Sequence, residues 1–128
     1  MNEHKPILTY NIKTAMEVSH NPYQGKYKRV LCVCSAGILR SATTALVLSQ
    51  EPFNFNTRSA GVEYYALIPV TEVLLEWAEE IVCMTKEHQK QLKNMTEKPI
   101  KCLNIPDSYE YRNKELEKMI KENYAQKS

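Results

Sequence analysis

A chain of 128 residues with 17 Lys and Arg against 15 Asp and Glu has a formal charge of +2, and its lysines are interspersed with glutamates. That balance describes a solvated surface rather than a nucleic-acid stripe, so no nucleic-acid partner is expected. No apolar run is long enough to span a bilayer, so no membrane partner is expected either, and the length suits one domain with a single sizeable core.

The cysteines are Cys32, Cys34, Cys83 and Cys102. All but Cys34 lie inside apolar, strand-like runs, where a small hydrophobe serves. No secretory segment precedes them, so reduced thiols in a cytoplasmic protein are expected. His4, His20 and His88 are scattered without metal-ligand spacing, and neither a metal nor a cofactor is expected.

Residues 1–28 read as an N-terminal arm, partly helical over Ile12–Val18, with a turn at Asn21–Gly25. The arm can pack on the core, cover a site or join a dimer. The sequence does not choose among these, and the oligomeric state stays open. The compact domain is expected over 29–128.

Val30–Val33 predicts a short buried strand that ends at Cys34, and Ala42–Leu48 is helix-compatible. Between them runs Cys34-Ser35-Ala36-Gly37-Ile38-Leu39-Arg40-Ser41. Loop N–H groups turned inward, together with the unpartnered amides of a helix's first turn, make a concave anion site. Arg40 adds a planar fork of donors suited to phosphate. The same field favours a thiolate at Cys34, and a sulfur nucleophile aimed at a bound anion suggests phosphoryl transfer through a phosphocysteine. A bare Cys-x5-Arg pattern arises by chance, and buried strand cysteines are common. The strand before the loop, the helix after it and Ser41 next to the arginine favour catalysis.

Further along, Glu51-Pro52 breaks the first helix. Phe53–Thr57 alternates like a half-exposed strand, and Arg58-Ser59-Ala60-Gly61 reads as a small-residue loop at its end. Pro69 and Thr71 open a helix with Val73, Leu74, Trp77 and Ala78 on one face. Ile81–Met84 is a third strand, and Thr85 caps a helix containing His88, Leu92 and Met95. Ile100–Ile105 is a fourth strand, Pro106-Asp107-Ser108 turns away, and Asn113 caps a last helix with Leu116, Met119, Ile120 and Tyr124 on one side. The alternation predicts an α/β three-layer sandwich around a central four-stranded parallel sheet, with the phosphate loop at the end of the first strand. Ligands bind beyond the carboxyl ends of such strands, where Cys34, Ser59, Met84 and Asp107 are expected to converge.

The run Val33–Ser41 resembles the phosphate-binding loop of low-molecular-weight protein tyrosine phosphatases. Ser59-Ala60-Gly61 is similar to that family's Ser-Ala-Gly segment, and Met84-Thr85-Lys86-Glu87-His88 to its Met-x-x-x-His segment. Asn104–Tyr111, followed by Glu115-Leu116, is close to a compact bacterial branch. Order and spacing agree over residues 29–121, with the arm outside the resemblance.

The resemblance implies that Cys34 is the nucleophile of a phosphotyrosine phosphatase. The loop residues Ser35, Ala36, Gly37, Ile38 and Leu39, with Arg40, would hold the phosphoryl oxygens. Inorganic phosphate or sulfate would occupy the same place. Ser41 would donate a hydrogen bond to the Cys34 sulfur. Asp107 would be the general acid and then the base, a role typically worth about 10²–10⁴-fold, with Glu110 as the fallback. Tyr64, Tyr65, Tyr109 and Tyr111 are candidates for an aromatic wall, at most two of them lining the pocket. The substrate would be a phosphotyrosine protein or a small aryl phosphate.

Three positions depart from the family. Gly37 stands where an asparagine is usual, and Ser59 and His88 correspond to the residues that tie that asparagine. These two therefore brace the loop in another way or not at all. Ser59 reads equally as a small residue at a tight strand end, and His88 as a structural histidine at a helix start. Leu39 replaces a second loop cysteine and removes the usual disulfide partner of Cys34. Ser108 replaces a proline after the acid.

Two other readings compete. An arsenate-reductase-like thiol enzyme needs further cysteines beyond the third strand, and Met84–Pro99 has none. A phosphoprotein-binding module with weak catalysis is kept open by Gly37. Ile38 favours phosphotyrosine over phosphoarginine, because the family's phosphoarginine enzymes carry a smaller polar residue there.

Overall fold

The computed structural model describes residues 27–37, 40–105 and 114–126. Among these it is an α/β protein with a four-stranded, all-parallel sheet and four helices. Strands β1 (Arg29–Cys34), β2 (Asn56–Gly61), β3 (Glu80–Cys83) and β4 (Ile100–Cys102) alternate with helices α1 (Arg40–Leu48), α2 (Glu72–Trp77), α3 (Lys86–Lys93) and α4 (Lys114–Gln126).

The sheet order is β2-β1-β3-β4. The chain therefore steps from β1 to one side for β2, then to the other side for β3. The reversal lies between β1 and β3, and open parallel sheets bind ligands beyond the carboxyl ends of the strands at such a reversal.

β1 is apolar at nearly every position because both of its faces are covered. Val30, Cys32 and Cys34 join Val82, Met84, Leu103 and Ile105 in a cluster with α1 and with Leu116, Ile120 and Tyr124 of α4. Leu31 and Val33 join Ile81, Cys83, Cys102, Leu75 and Leu92 in a second cluster with α2 and α3. Successive side chains of a strand point to opposite faces, so the helices cover both sides of the sheet, an arrangement compatible with three layers. Each fully buried Leu or Ile contributes about 1.5–3 kcal/mol.

Several predicted boundaries move. Ser59, Ala60 and Gly61 are the last residues of β2, paired with Cys32, Val33 and Cys34, and not a loop after an earlier strand. Phe53 and Phe55 instead pack their rings on Tyr124, with centroids 5.4 and 5.6 Å away. α2 buries Leu75, and Ala78 is buried at its C-cap, whereas Val73 is exposed. Met95 falls past the end of α3 and is exposed. β4 stops at Cys102, although Leu103 and Ile105 still donate their amides to Cys83 and Met84. Between them Asn104 sits at φ +57°, which breaks the strand path. Arm residues 1–26 and the Asn113 cap lie outside the described residues. No described helix is long and apolar enough to cross a membrane.

Candidate active site

The loop after β1 is strapped from outside by the chain that follows β2. The Val62 N–H donates to the Cys34 carbonyl (3.0 Å), the Glu63 N–H to the Ser35 carbonyl (3.1 Å) and the Leu67 N–H to the Ala36 carbonyl (3.2 Å). Ser59 Oγ donates to the Gly37 carbonyl at 3.2 Å. A trans peptide directs its C=O and the following N–H in opposite senses. With the carbonyls of Cys34, Ser35 and Ala36 drawn outward, the N–H groups of Ser35, Ala36 and Gly37 face the other way, into the loop. The Gly37 N–H donates to Cys34 Sγ at 3.2 Å.

Two glycines permit this close strapping. Gly37 has φ +85°, and a Cβ built on it would lie 2.7 Å from Gly61 N and 2.9 Å from the Ile68 carbonyl oxygen. A Cβ on Gly61 would meet the Ser35 carbonyl and lie 2.7 Å from Gly37 N. The asparagine usual in the resembled family has no room at position 37 in this arrangement.

The sulfur of Cys34 lies at the end of β1, and the residue is 2% exposed. Besides the Gly37 amide, Sγ has Ser41 Oγ at 3.1 Å, from the first turn of α1. As a thiol, Cys34 donates to the Ser41 hydroxyl oxygen, while its sulfur accepts from the Gly37 N–H. Cys32, two residues earlier on the same face, contrasts with it. Burial, reinforced by Glu80 and Cys34, pushes the Cys32 thiol well up and keeps it protonated. It is a core residue.

Arg40 opens α1 and is 4% exposed. Its Nη1 donates to the Ile105 carbonyl at 2.9 Å. This bond fixes the guanidinium between the helix start and the segment that follows β4. Sequence reasoning missed the anchor, because a backbone carbonyl leaves no trace in residue identity. The amides of Val62, Glu63 and Leu67 were missed for the same reason; the small Ser-Ala-Gly run was the one available signal.

His88 reaches the loop from α3. Thr85 caps that helix in a reciprocal box: Thr85 Oγ1 accepts from the His88 N–H at 3.3 Å, and His88 Nδ1 accepts from the Thr85 N–H at 3.3 Å. An Nδ1 that accepts leaves the proton of the neutral ring on Nε2. Nε2 lies 3.1 Å from Ser35 Oγ and donates to it. Ser59 and His88 thus brace the loop by a route that needs no asparagine, one through the Gly37 carbonyl and the other through the Ser35 hydroxyl.

The tyrosines divide. Tyr64 and Tyr65 lie on the strap, with ring centroids 5.4 Å apart in an edge-on pair, and both are exposed, Tyr64 at 97%. Tyr109 and Tyr111 lie outside the described residues, as do Ile38, Leu39, Asp107, Ser108 and Glu110. Among the described residues no group of three or more His, Cys, Asp or Glu side chains is placed to hold a metal ion. No family model matches this chain, and no curated protein or solved structure matches it significantly.

Proposed function

We propose that this chain is a cysteine-dependent phosphomonoesterase that hydrolyses aryl phosphates, phosphotyrosine foremost, through a phosphocysteine intermediate. One observation carries the reading: a cysteine sulfur receives an amide N–H and stands beside a helix-start hydroxyl, inside a loop whose carbonyls are drawn outward. Inward amides at a helix N-terminus suit an anion. The low-molecular-weight phosphatase resemblance, with its three-layer sandwich and phosphate loop, supports the same conclusion, as does the reversal of strand order at β1, where the loop begins. A cytoplasmic location accords with free, buried thiols.

In this mechanism the Cys34 thiolate attacks phosphorus. The S–P bond forms as the P–O bond to the aryl oxygen breaks, and that oxygen takes a proton from Asp107. The inward amides and the Arg40 guanidinium hold the three equatorial oxygens, where charge is spread in the transition state. Water then attacks the phosphocysteine with Asp107 as base. Inorganic phosphate leaves, and Cys34 returns to the thiolate beside Ser41.

The test is hydrolysis of a generic aryl phosphate across pH, with alkylation of Cys34 as control. Cys34→Ser is expected to abolish turnover while still binding a phosphate analogue. Full activity in that variant overturns the proposal. Phosphate binding by the wild type without turnover would make the chain a phosphoprotein-binding module instead.

A further inference from the structure

Outside the candidate site, two thiols lie side by side. Cys83 ends β3 and Cys102 ends β4, and they are register partners in adjacent parallel strands. Both belong to the cluster on the α2 and α3 face, so their side chains project to the same side of the sheet. Neighbouring strands run about 4.8 Å apart, inside the roughly 4.4–6.8 Å Cα separation that a disulfide spans. The Cys83 thiol donates to the Thr85 carbonyl at 3.5 Å and the Cys102 thiol to Asn104 Oδ1 at 3.4 Å, and burial, with Cys102 beside it, pushes the Cys83 thiol well up. Cys83 is fully enclosed, whereas Cys102 sits on the edge strand and lines a cleft of about 340 Å³ with Lys86, Gln89, Lys101 and Asn104.

We infer that Cys83 and Cys102 are a reversible dithiol/disulfide pair, oxidised by a hydroperoxide that enters from the β4 edge. The Cys102 sulfur attacks the peroxide oxygen. The O–O bond breaks, and Cys102 becomes a sulfenic acid as one water (or alcohol) leaves. The Cys83 sulfur then attacks the Cys102 sulfur, an S–S bond forms, and the hydroxyl departs as a second water with the Cys83 proton. The dithiol loses two electrons and two protons, and the peroxide gains them.

The position gives the link a consequence. Cys102 stands three residues before Ile105, whose carbonyl holds Arg40. Cys83 stands two residues before Thr85, the cap that orients His88. Closing the pair tightens the sheet at the point where both supports are attached. This consequence rests on the phosphatase reading, whereas formation of the link does not.

The test uses the full chain with Cys34→Ser, which leaves three of the four thiols. After hydroperoxide treatment, thiols are alkylated under denaturing conditions and the mass and peptides are analysed. Loss of two thiols, a mass lower by two hydrogens, a Cys83–Cys102 peptide link and full recovery with a dithiol reductant are expected. Adding Cys32→Ala is expected to leave the link intact, and adding Cys102→Ser to prevent it. All three thiols surviving, a Cys102 sulfinic acid with Cys83 still alkylated, or a link to Cys32 overturns the inference. None of these readouts depends on phosphatase activity.

Discussion

The two ends of the sheet differ in how charge is met. At the amino end carboxylates take the cations: Glu80 meets the Lys28 ammonium at 3.1 Å and the Tyr124 hydroxyl at 2.8 Å, and Arg29 meets Glu79 at 3.1 Å while its Nε donates to the Trp77 carbonyl. At the carboxyl end the recurring partner is backbone. Arg40 donates to a carbonyl, Ser59 donates to a carbonyl, the Gly37 amide donates to Cys34 Sγ, and the strap amides take the loop carbonyls. A mutually neutralised pair has little left for a ligand. A loop whose carbonyls are occupied elsewhere and whose amides point inward presents positive dipole ends. The difference separates an end that anchors the fold from an end suited to hold an anion.

The comparison breaks most severely at the two glycines. Gly61→Ala forces a methyl group against the Ser35 carbonyl and Gly37 N. We expect near-complete loss of aryl phosphate turnover and a destabilisation of about 1–3 kcal/mol, read by steady-state kinetics and denaturant melts. Wild-type activity in Gly61→Ala would show that the strap does not shape the loop.

A smaller effect is expected from Ser41→Ala. In the proposed mechanism, removing the hydroxyl beside the Cys34 thiolate costs about 1.5–3 kcal/mol of interaction, equivalent to roughly 10- to 160-fold in rate. Stability should change far less than turnover. A melting shift without a kinetic defect would make Ser41 a packing residue only.

The amino end should respond in the opposite pattern. Tyr124→Phe removes the hydroxyl that donates to Glu80, at a cost of about 1.5–3 kcal/mol in stability, with turnover unchanged. Burial and then the Glu80 hydrogen bond raise the folded tyrosine above its ordinary value. The folded state therefore holds that proton more tightly than the unfolded state. The contribution is fully present below the ordinary tyrosine value of about 10 and is lost as pH rises through and beyond it. Wild type should lose stability in that alkaline range more steeply than Tyr124→Phe in pH-dependent melts. Identical alkaline slopes would remove Tyr124 from the anchor.

The smallest effect belongs to the helix cap. Thr85→Ala removes the acceptor for the His88 N–H, at about 1 kcal/mol. Because His88 also donates to Ser35, a modest fall in turnover should accompany the stability loss. A stability loss alone would confine His88 to the helix.

Residue identity determined a good deal of this molecule. The apolar run of β1, the alternation of strands with helices, Thr85 as a cap and the apolar face Leu116, Ile120 and Tyr124 were legible because burial and helical period write themselves into side-chain type. So was the concentration of Cys34, Gly37, Arg40 and Ser41 in one short stretch. The boundary of β2 was not legible: Ser59, Ala60 and Gly61 look like a turn, and they pair as strand because only small residues let β2 run past the loop. Tertiary structure alone decided which groups hold that loop. The Val62, Glu63 and Leu67 amides and the Ile105 carbonyl are backbone atoms that every residue other than proline carries, so only the packing of distant segments selects them. The placing of Cys83 beside Cys102 has the same origin, since the register of two strands, and not either cysteine's neighbours in sequence, makes them partners.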